Sequence, residues 1–138
     1  EIFNNIFGME AKHVGPIGLT PDVRVISDDA GFTGIIDNKA YSKYSISNDH
    51  KNRMVYNYIP TYQKERYPLA FFSYIAGGFG NNIDSQLKDI SSATNVKGSA
   101  ISVSNMIQLV QNYSENGYDQ LQSKDIFSLN RQVMLTDI

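Results

Sequence analysis

The sequence predicts an α/β domain, a central mixed β-sheet flanked by helices on both faces, and three observations carry that class. Segments rich in β-branched residues alternate with segments of helical periodicity along the 138 residues. Two of the β-type segments sit on either side of Asp28-Asp29-Ala30-Gly31, a turn-forming run that predicts a hairpin. A third, "PLAFFSYIAG" (68–77), is apolar almost throughout, the pattern of a strand covered on both faces.

Taken in order, the chain opens in an amphipathic helical pattern, Glu1-Ile2-Phe3-Asn4-Asn5-Ile6-Phe7, and Gly15-Pro16-Ile17-Gly18 reads as a loop. "PDVRVIS" (21–27) and "FTGIIDNK" (32–39) are the hairpin strands. Ser47 stands where it caps a helix on which Met54, Val55, Tyr58 and Ile59 recur at helical spacing. After the apolar strand come a helix through Ile83, Leu87 and Ile90 and a short strand, "GSAISV" (98–103). The next helix has Val103, Met106, Ile107 and Val110 as its apolar stripe. A last helix from about Ser123 carries Ile126, Leu129 and Val133. The expected order is α-β-β-α-β-α-β-α-α.

Composition narrows the chemistry. A hydrophobic share of 41% and a charged share of 19% are those of an ordinary globular protein, here one domain over 1–138 with a single buried core. Glu1 in place of an initiating Met, already inside a helical pattern, leads us to expect a fragment of a longer polypeptide. The chain has no cysteine, which excludes disulfides and thiolate metal sites. His13 and His50 are too few for a histidine-rich centre, so any metal must be held by oxygen, which favours Mg2+. A net charge of -2 offers nucleic acid no bulk attraction, so if the domain touches DNA, another region must supply most of the affinity. The longest apolar run is too short to cross a bilayer, and no membrane partner is expected.

One short motif carries chemistry. Side chains alternate along a strand, so in "GIIDNKAYS" (34–42) Asp37 and Lys39 share a face and Asn38 takes the other. If the hairpin closes, Asp22 lies beside Asp37, and two carboxylates that close call for a divalent cation. Mg2+ uses one or two carboxylates, with water and phosphate filling its octahedron, and Asn38 can add its backbone carbonyl. A metal there acidifies its water and neutralises charge on a phosphate oxygen. Lys39 orients the attacking water and offsets transition-state charge. Spacing alone leaves a plainer alternative open, a solvated strand end whose ion pair is worth under ~1 kcal/mol.

The order of several motifs adds a resemblance. "FGMEAKHVGPIGLTPDVRV", "GIIDNKAYS", "SNDHKNRMVYNY" and "FFSYIAGGFGNNIDSQLKDISSATNVKGSAISV" follow one another. Together they resemble the cleavage domain of FokI-type type IIS restriction endonucleases, a branch of the PD-(D/E)XK nucleases. In that family a helix, a Lys-His-(Leu/Val)-Gly loop, a Pro-Asp and an Asp-x-Lys-Ala-Tyr motif come in this order. The likeness reaches about Ile107 and fades beyond. It also breaks before the apolar strand, where "YIPTYQKERYP" replaces a longer loop containing tryptophan.

The resemblance implies a restriction-endonuclease-like fold and Mg2+-dependent hydrolysis of DNA without sequence preference of its own. It makes Asp22, Asp37 and Lys39 the catalytic trio. Asp22, Asp37 and the Asn38 carbonyl then surround the metal, and Glu1 stands between a metal-shell role and a solvated helix residue. The implied partners are double-stranded DNA, a covalently linked recognition domain and, for a double-strand break, a transient second copy. The implied setting is the bacterial cytoplasm. Asp49 and Arg53 match a pair on the helix where two cleavage domains meet, although an i, i+4 pair within one helix accounts for them equally simply. His13, Lys43 and Lys51, with Lys64 and Arg66, are candidates for the DNA backbone, set against a structural role for His13 and a solvated basic face for the rest. Tyr41 also matches, although a tyrosine at a strand end usually packs in the core. A repair or mobile-element nuclease of the same fold remains a rival. So does a non-catalytic DNA-binding or assembly domain, against which the intact trio argues.

Overall fold

The computed structural model describes residues 2–14, 21–117 and 119–138. Among them six strands form one sheet whose spatial order repeats the chain order. Strand β2 (Val23–Ser27) runs antiparallel to both of its neighbours, β1 (Glu10–His13) and β3 (Phe32–Asn38). Strands β4 (Leu69–Ala76), β5 (Lys97–Ser102) and β6 (Arg131–Gln132) continue from β3 in parallel. The change of sense follows from the connections. A tight turn closes β2 onto β3, with Gly31 at φ 71, a conformation that costs glycine nothing. Each parallel step instead needs a crossover with a helix in it.

Residues 48–62 supply the first crossover in three continuous pieces. These are α1 (Asn48–Arg53), a widened turn (Met54–Tyr58) and α2 (Ile59–Tyr62). Ser47 caps the start, its hydroxyl accepting the His50 N–H at 3.1 Å. The Ile59 N–H reaches five residues back, to the Met54 carbonyl. That widening falls just before Pro60, which has no N–H for the ladder and whose ring crowds the carbonyl four residues back. Helices α3 (Ile83–Thr94), α4 (Val103–Asn116) and α5 (Gln120–Phe127) follow.

The sheet divides the interior into two cores. One side packs Ile35, Phe72, Tyr74 and Ala100 against the 48–62 helix and α3. The other packs Val25, Ile36, Phe71 and Ile101 against α4, α5 and the helical turn Ile2–Ile6. Alternation along β3 and β4 feeds both, so the apolar run in β4 is buried for the reason its sequence suggests. Two glycines permit the layers to close. Gly34 lies in register with Phe71, and Gly98 with Phe72. A Cβ at Gly34 would meet the Phe71 ring at 2.2 Å, and one at Gly98 the Phe72 ring at 2.1 Å. One phenyl thus lies across a bare glycine on each face.

The expected class holds, with two strands added, one helix moved and one helical stripe rotated. Strand β1, "EAKH", is an edge strand of mostly exposed residues, so no apolar alternation announces it. Strand β6 is two residues long and follows Asn130, whose φ of 62 turns the chain. The last helix does not run from Ser123 through Val133. Asp119 opens it in a reciprocal capping box with Gln122, and it stops at Phe127. Leu129 packs on the core from the bend that follows the helix, and Val133 from the chain just past β6, since their spacing fits a helix but does not require one. On α4 the buried positions are Met106 and Leu109, whereas Val103 and Ile107 are 48% and 53% exposed. At the C-terminus Arg131 grips Asp137 through two contacts of 2.6 and 2.8 Å, holding that carboxyl down to about 2.

Replacing Gly98 by alanine should lower stability by about 1–3 kcal/mol, because the added methyl must displace the Phe72 ring from a filled layer. Urea unfolding measures this, and an unchanged midpoint would show that the ring can shift freely.

Candidate active site

Strand β3 delivers two charged groups to the end of an otherwise apolar sheet. The alternation that turns Ile35 toward the 48–62 helix and Ile36 toward α4 turns Asp37 to the former side. Register pairs Val23 with Ile36, and one step further sets Asp22 across from Asp37. Asp22 is held at both ends. Its Oδ2 accepts the Asn38 N–H at 2.7 Å, and its carbonyl accepts the Val14 N–H at 2.9 Å. Lys39, just past the strand, donates its N–H to the Ile75 carbonyl at 2.8 Å. Its side chain turns back so that Nζ lies 2.8 Å from Asp37 Oδ2.

Asp37 is only 5% exposed. Burial pushes its carboxyl above the usual aspartate value, Lys39 draws it back down through a hydrogen bond and its charge, and Asp22 pushes it up again. Two acids and one base therefore leave an excess of negative charge, and at the buried Asp37 water screens it poorly. Among the described residues no three carboxylates or imidazoles gather into a cage. The donor set is two carboxylates and nearby main-chain oxygen. That set fits Mg2+, which keeps most of its shell for water and substrate phosphate, and not a metal that demands a full protein cage.

Behind this pair lies an aromatic layer that pattern reasoning missed. Tyr74 is the in-register neighbour of Asp37, and its buried hydroxyl has no hydrogen-bond partner among the described residues. Tyr44 packs on Tyr74 with centroids 5.5 Å apart, and its Oη lies 2.8 Å from His50 Nδ1. Burial, then the charge on Asp37, raises the Tyr44 phenol. His50 is held below its usual value by burial and the charge on Lys39. In sequence, Tyr74 hides inside a run read as apolar. Tyr44 and His50 are separated by a loop, and no periodicity relates them.

The other expected residues scatter. Glu1 and the loop 15–18 lie outside the described residues. His13 ends β1 in solvent. Lys43 is exposed and Lys51 half-buried, both on the segment that follows Lys39. Lys64 is exposed, but Arg66 is not a free cation, since it contacts Glu10 at 2.8 Å and Asp28 at 3.3 Å. Asp49 and Arg53 pair within α1 at 3.1 Å, as the plainer reading has it. Tyr41 is not a core residue. It is 54% exposed and stacks on Tyr44 at 5.5 Å, because the strand has already ended and the chain runs over the surface.

Comparison with known proteins adds a family. A family model described as "FokI, cleavage domain" matches residues 1–134, and the chain belongs to that family. Among solved structures, restriction endonuclease FokI superposes with a TM-score of 0.80 at 22% identity, covering 96% of this chain and 26% of that one. FokI bound to DNA gives 0.77 at 21% identity with the same coverage. The chain thus spans about a quarter of the length of FokI. No curated protein sequence matches it significantly.

The charge excess has a consequence for stability. A raised Asp37 value means that its contribution to folding is present at pH below 3.8 and is lost as pH rises through the raised value. Asp22→Asn keeps an acceptor for the Asn38 N–H and removes the repulsion. Without metal, its melting temperature at pH 7 should exceed that of the wild type by about 2–4 °C, a gain of ~1 kcal/mol. The gain should vanish near pH 3. A variant that melts lower than wild type at pH 7 would refute the charge excess.

Proposed function

We propose that this chain is the DNA-cleaving domain of a type IIS restriction endonuclease. It hydrolyses phosphodiester bonds with Mg2+ and with no sequence preference of its own. The observation that carries the reading is the meeting of Asp22, Asp37 and Lys39 at the exposed end of β3, in a chain of the FokI cleavage-domain family. Asp22 and Asp37 would hold the metal, with the Asn38 carbonyl as a main-chain donor beside them. Bound Mg2+ supplies charge neutralisation at the scissile phosphate and acidifies water.

The rest falls to the protein's own groups. Lys39 sets its ammonium beside the Asp37 carboxylate, where it orients the attacking water and offsets the charge that grows on the phosphate. The rigid end of β3, with Asn38 tied to Asp22 and Lys39 tied to Ile75, keeps these groups from drifting. Lys43 and Lys51 hold the DNA backbone without reading bases, joined by His13, which lies level with Val23 and Ile36 at the same end of the sheet. Sequence selection belongs to a recognition domain on the same polypeptide. Cutting both strands takes a second copy, met through α1, where Asp49 of one chain answers Arg53 of the other.

Mg2+ should raise the melting temperature of the wild type and leave Asp37→Asn unmoved. On supercoiled plasmid, Asp37→Asn and Lys39→Ala should each cut at least about 10²-fold more slowly. Equal cutting by all three proteins would remove the site. Arg53→Asp should slow the conversion of nicked to linear plasmid much more than the first nick, and equal slowing of both steps would remove the α1 interface.

A further inference from the structure

Lys39 is the most mobile kind of side chain in the candidate site, a compact charge on four rotatable bonds. Its partner Asp37 fixes one end of it, but a single ion pair does not choose among the rotamers that reach the same oxygen. What lies on its other side does. The ammonium sits 6.0 Å from the centroid of the Tyr44 ring, at the edge of cation–π range.

Tyr44 is placed with unusual thoroughness for a residue in a connecting segment. It is 2% exposed. Its N–H donates to the Gly78 carbonyl and its carbonyl accepts the Gly80 N–H, both at 2.9 Å, forming an isolated bridge with Phe79. Its ring is packed by Tyr41, Tyr74 and Phe79. The remaining freedom, rotation and tilt about the ring axis, is taken up by the 2.8 Å bond from Oη to His50 Nδ1. His50 is fixed in turn by the Ser47 cap on its backbone N–H.

We infer that Tyr44 and His50 are positioning residues for Lys39: the hydrogen bond between them sets the ring on which the lysine ammonium rests. This rests on the reading of Lys39 as a catalytic group, and it adds a connection that reading does not contain. His50 belongs to α1, the helix that carries Asp49 and Arg53, so the chain of contacts from Ser47 through His50 and Tyr44 to Lys39 joins that helix to the site. Burial and the charge on Lys39 both oppose protonation of the imidazole that makes the bond.

Two readouts test the inference. The first needs no cleavage: in protein labelled with 13C-lysine, the Lys39 Cε–Hε resonance reports the Tyr44 ring current. It should move toward the position of a free lysine in His50→Ala and in Tyr44→Leu. It should stay near the wild-type position in His50→Asn, whose amide occupies the place of Nδ1. The second is the plasmid nicking rate at saturating Mg2+, which should fall about tenfold in His50→Ala and in Tyr44→Phe and recover most of that loss in His50→Asn. The Tyr44→Phe/His50→Ala double variant should be no slower than either single one. Half-saturating Mg2+ should stay constant, since neither residue touches the metal. A Lys39 resonance that stays in place in His50→Ala overturns the inference whatever the rates do, and so does a rate loss that His50→Asn fails to recover. A resonance that moves as expected in a protein that never cuts leaves the positioning intact and removes the nuclease reading instead.

Discussion

An acid placed in the wall of a hydrophobic core costs folding free energy unless a cation answers it, and Asp37 is such an acid. Strand β3 is buried along its first six residues, and the sixth is this carboxylate. Its neighbours divide between groups that offset that charge and one that adds to it. Lys39 turns back onto it, Asp22 is tied by the Asn38 N–H at the one spot where its own charge is least welcome, and the nearby tyrosines are held in their neutral form. Burying such a carboxylate costs folding free energy, and the packing around it is what keeps it there.

The rest of the structure is stiff for that reason. Two cores press on the sheet from opposite sides, and the bare glycines at 34 and 98 permit a phenyl ring to cover each face without a gap. Strands β3, β4 and β5 are therefore clamped between layers along their length. Asp37 and Lys39 emerge where the clamp ends, so their backbone positions are set by packing and only their side chains remain to be placed.

Much of this was legible in the sequence, and what was not shares a cause. The β2–β3 hairpin, the Ser47 cap, the buried run of β4 and the common face of Asp37 and Lys39 are written in local pattern: turn chemistry, capping chemistry and the period of two. Strands β1 and β6 carry no such pattern, because their place in the sheet depends on main-chain pairing with a neighbour and not on which side chains they bury. The engagement of Arg66 with Glu10, 56 residues away, and of Tyr44 with His50 across a surface loop are likewise products of the tertiary fold. On α4 the pattern named a helix correctly and misjudged its inward side by part of a turn, since Val103 and Ile107 are as apolar as the residues that are actually covered.

The agreement between strand order in space and strand order in the chain reaches beyond the finished structure. In a doubly wound sheet, a central strand must wait for segments made later before both its edges are covered. Here each strand leaving the ribosome meets its partner already made, and only one open edge advances along the growing sheet. The pairing that sets Asp22 across from Asp37 therefore calls only on the β2–β3 hairpin, and on no segment made later in the chain.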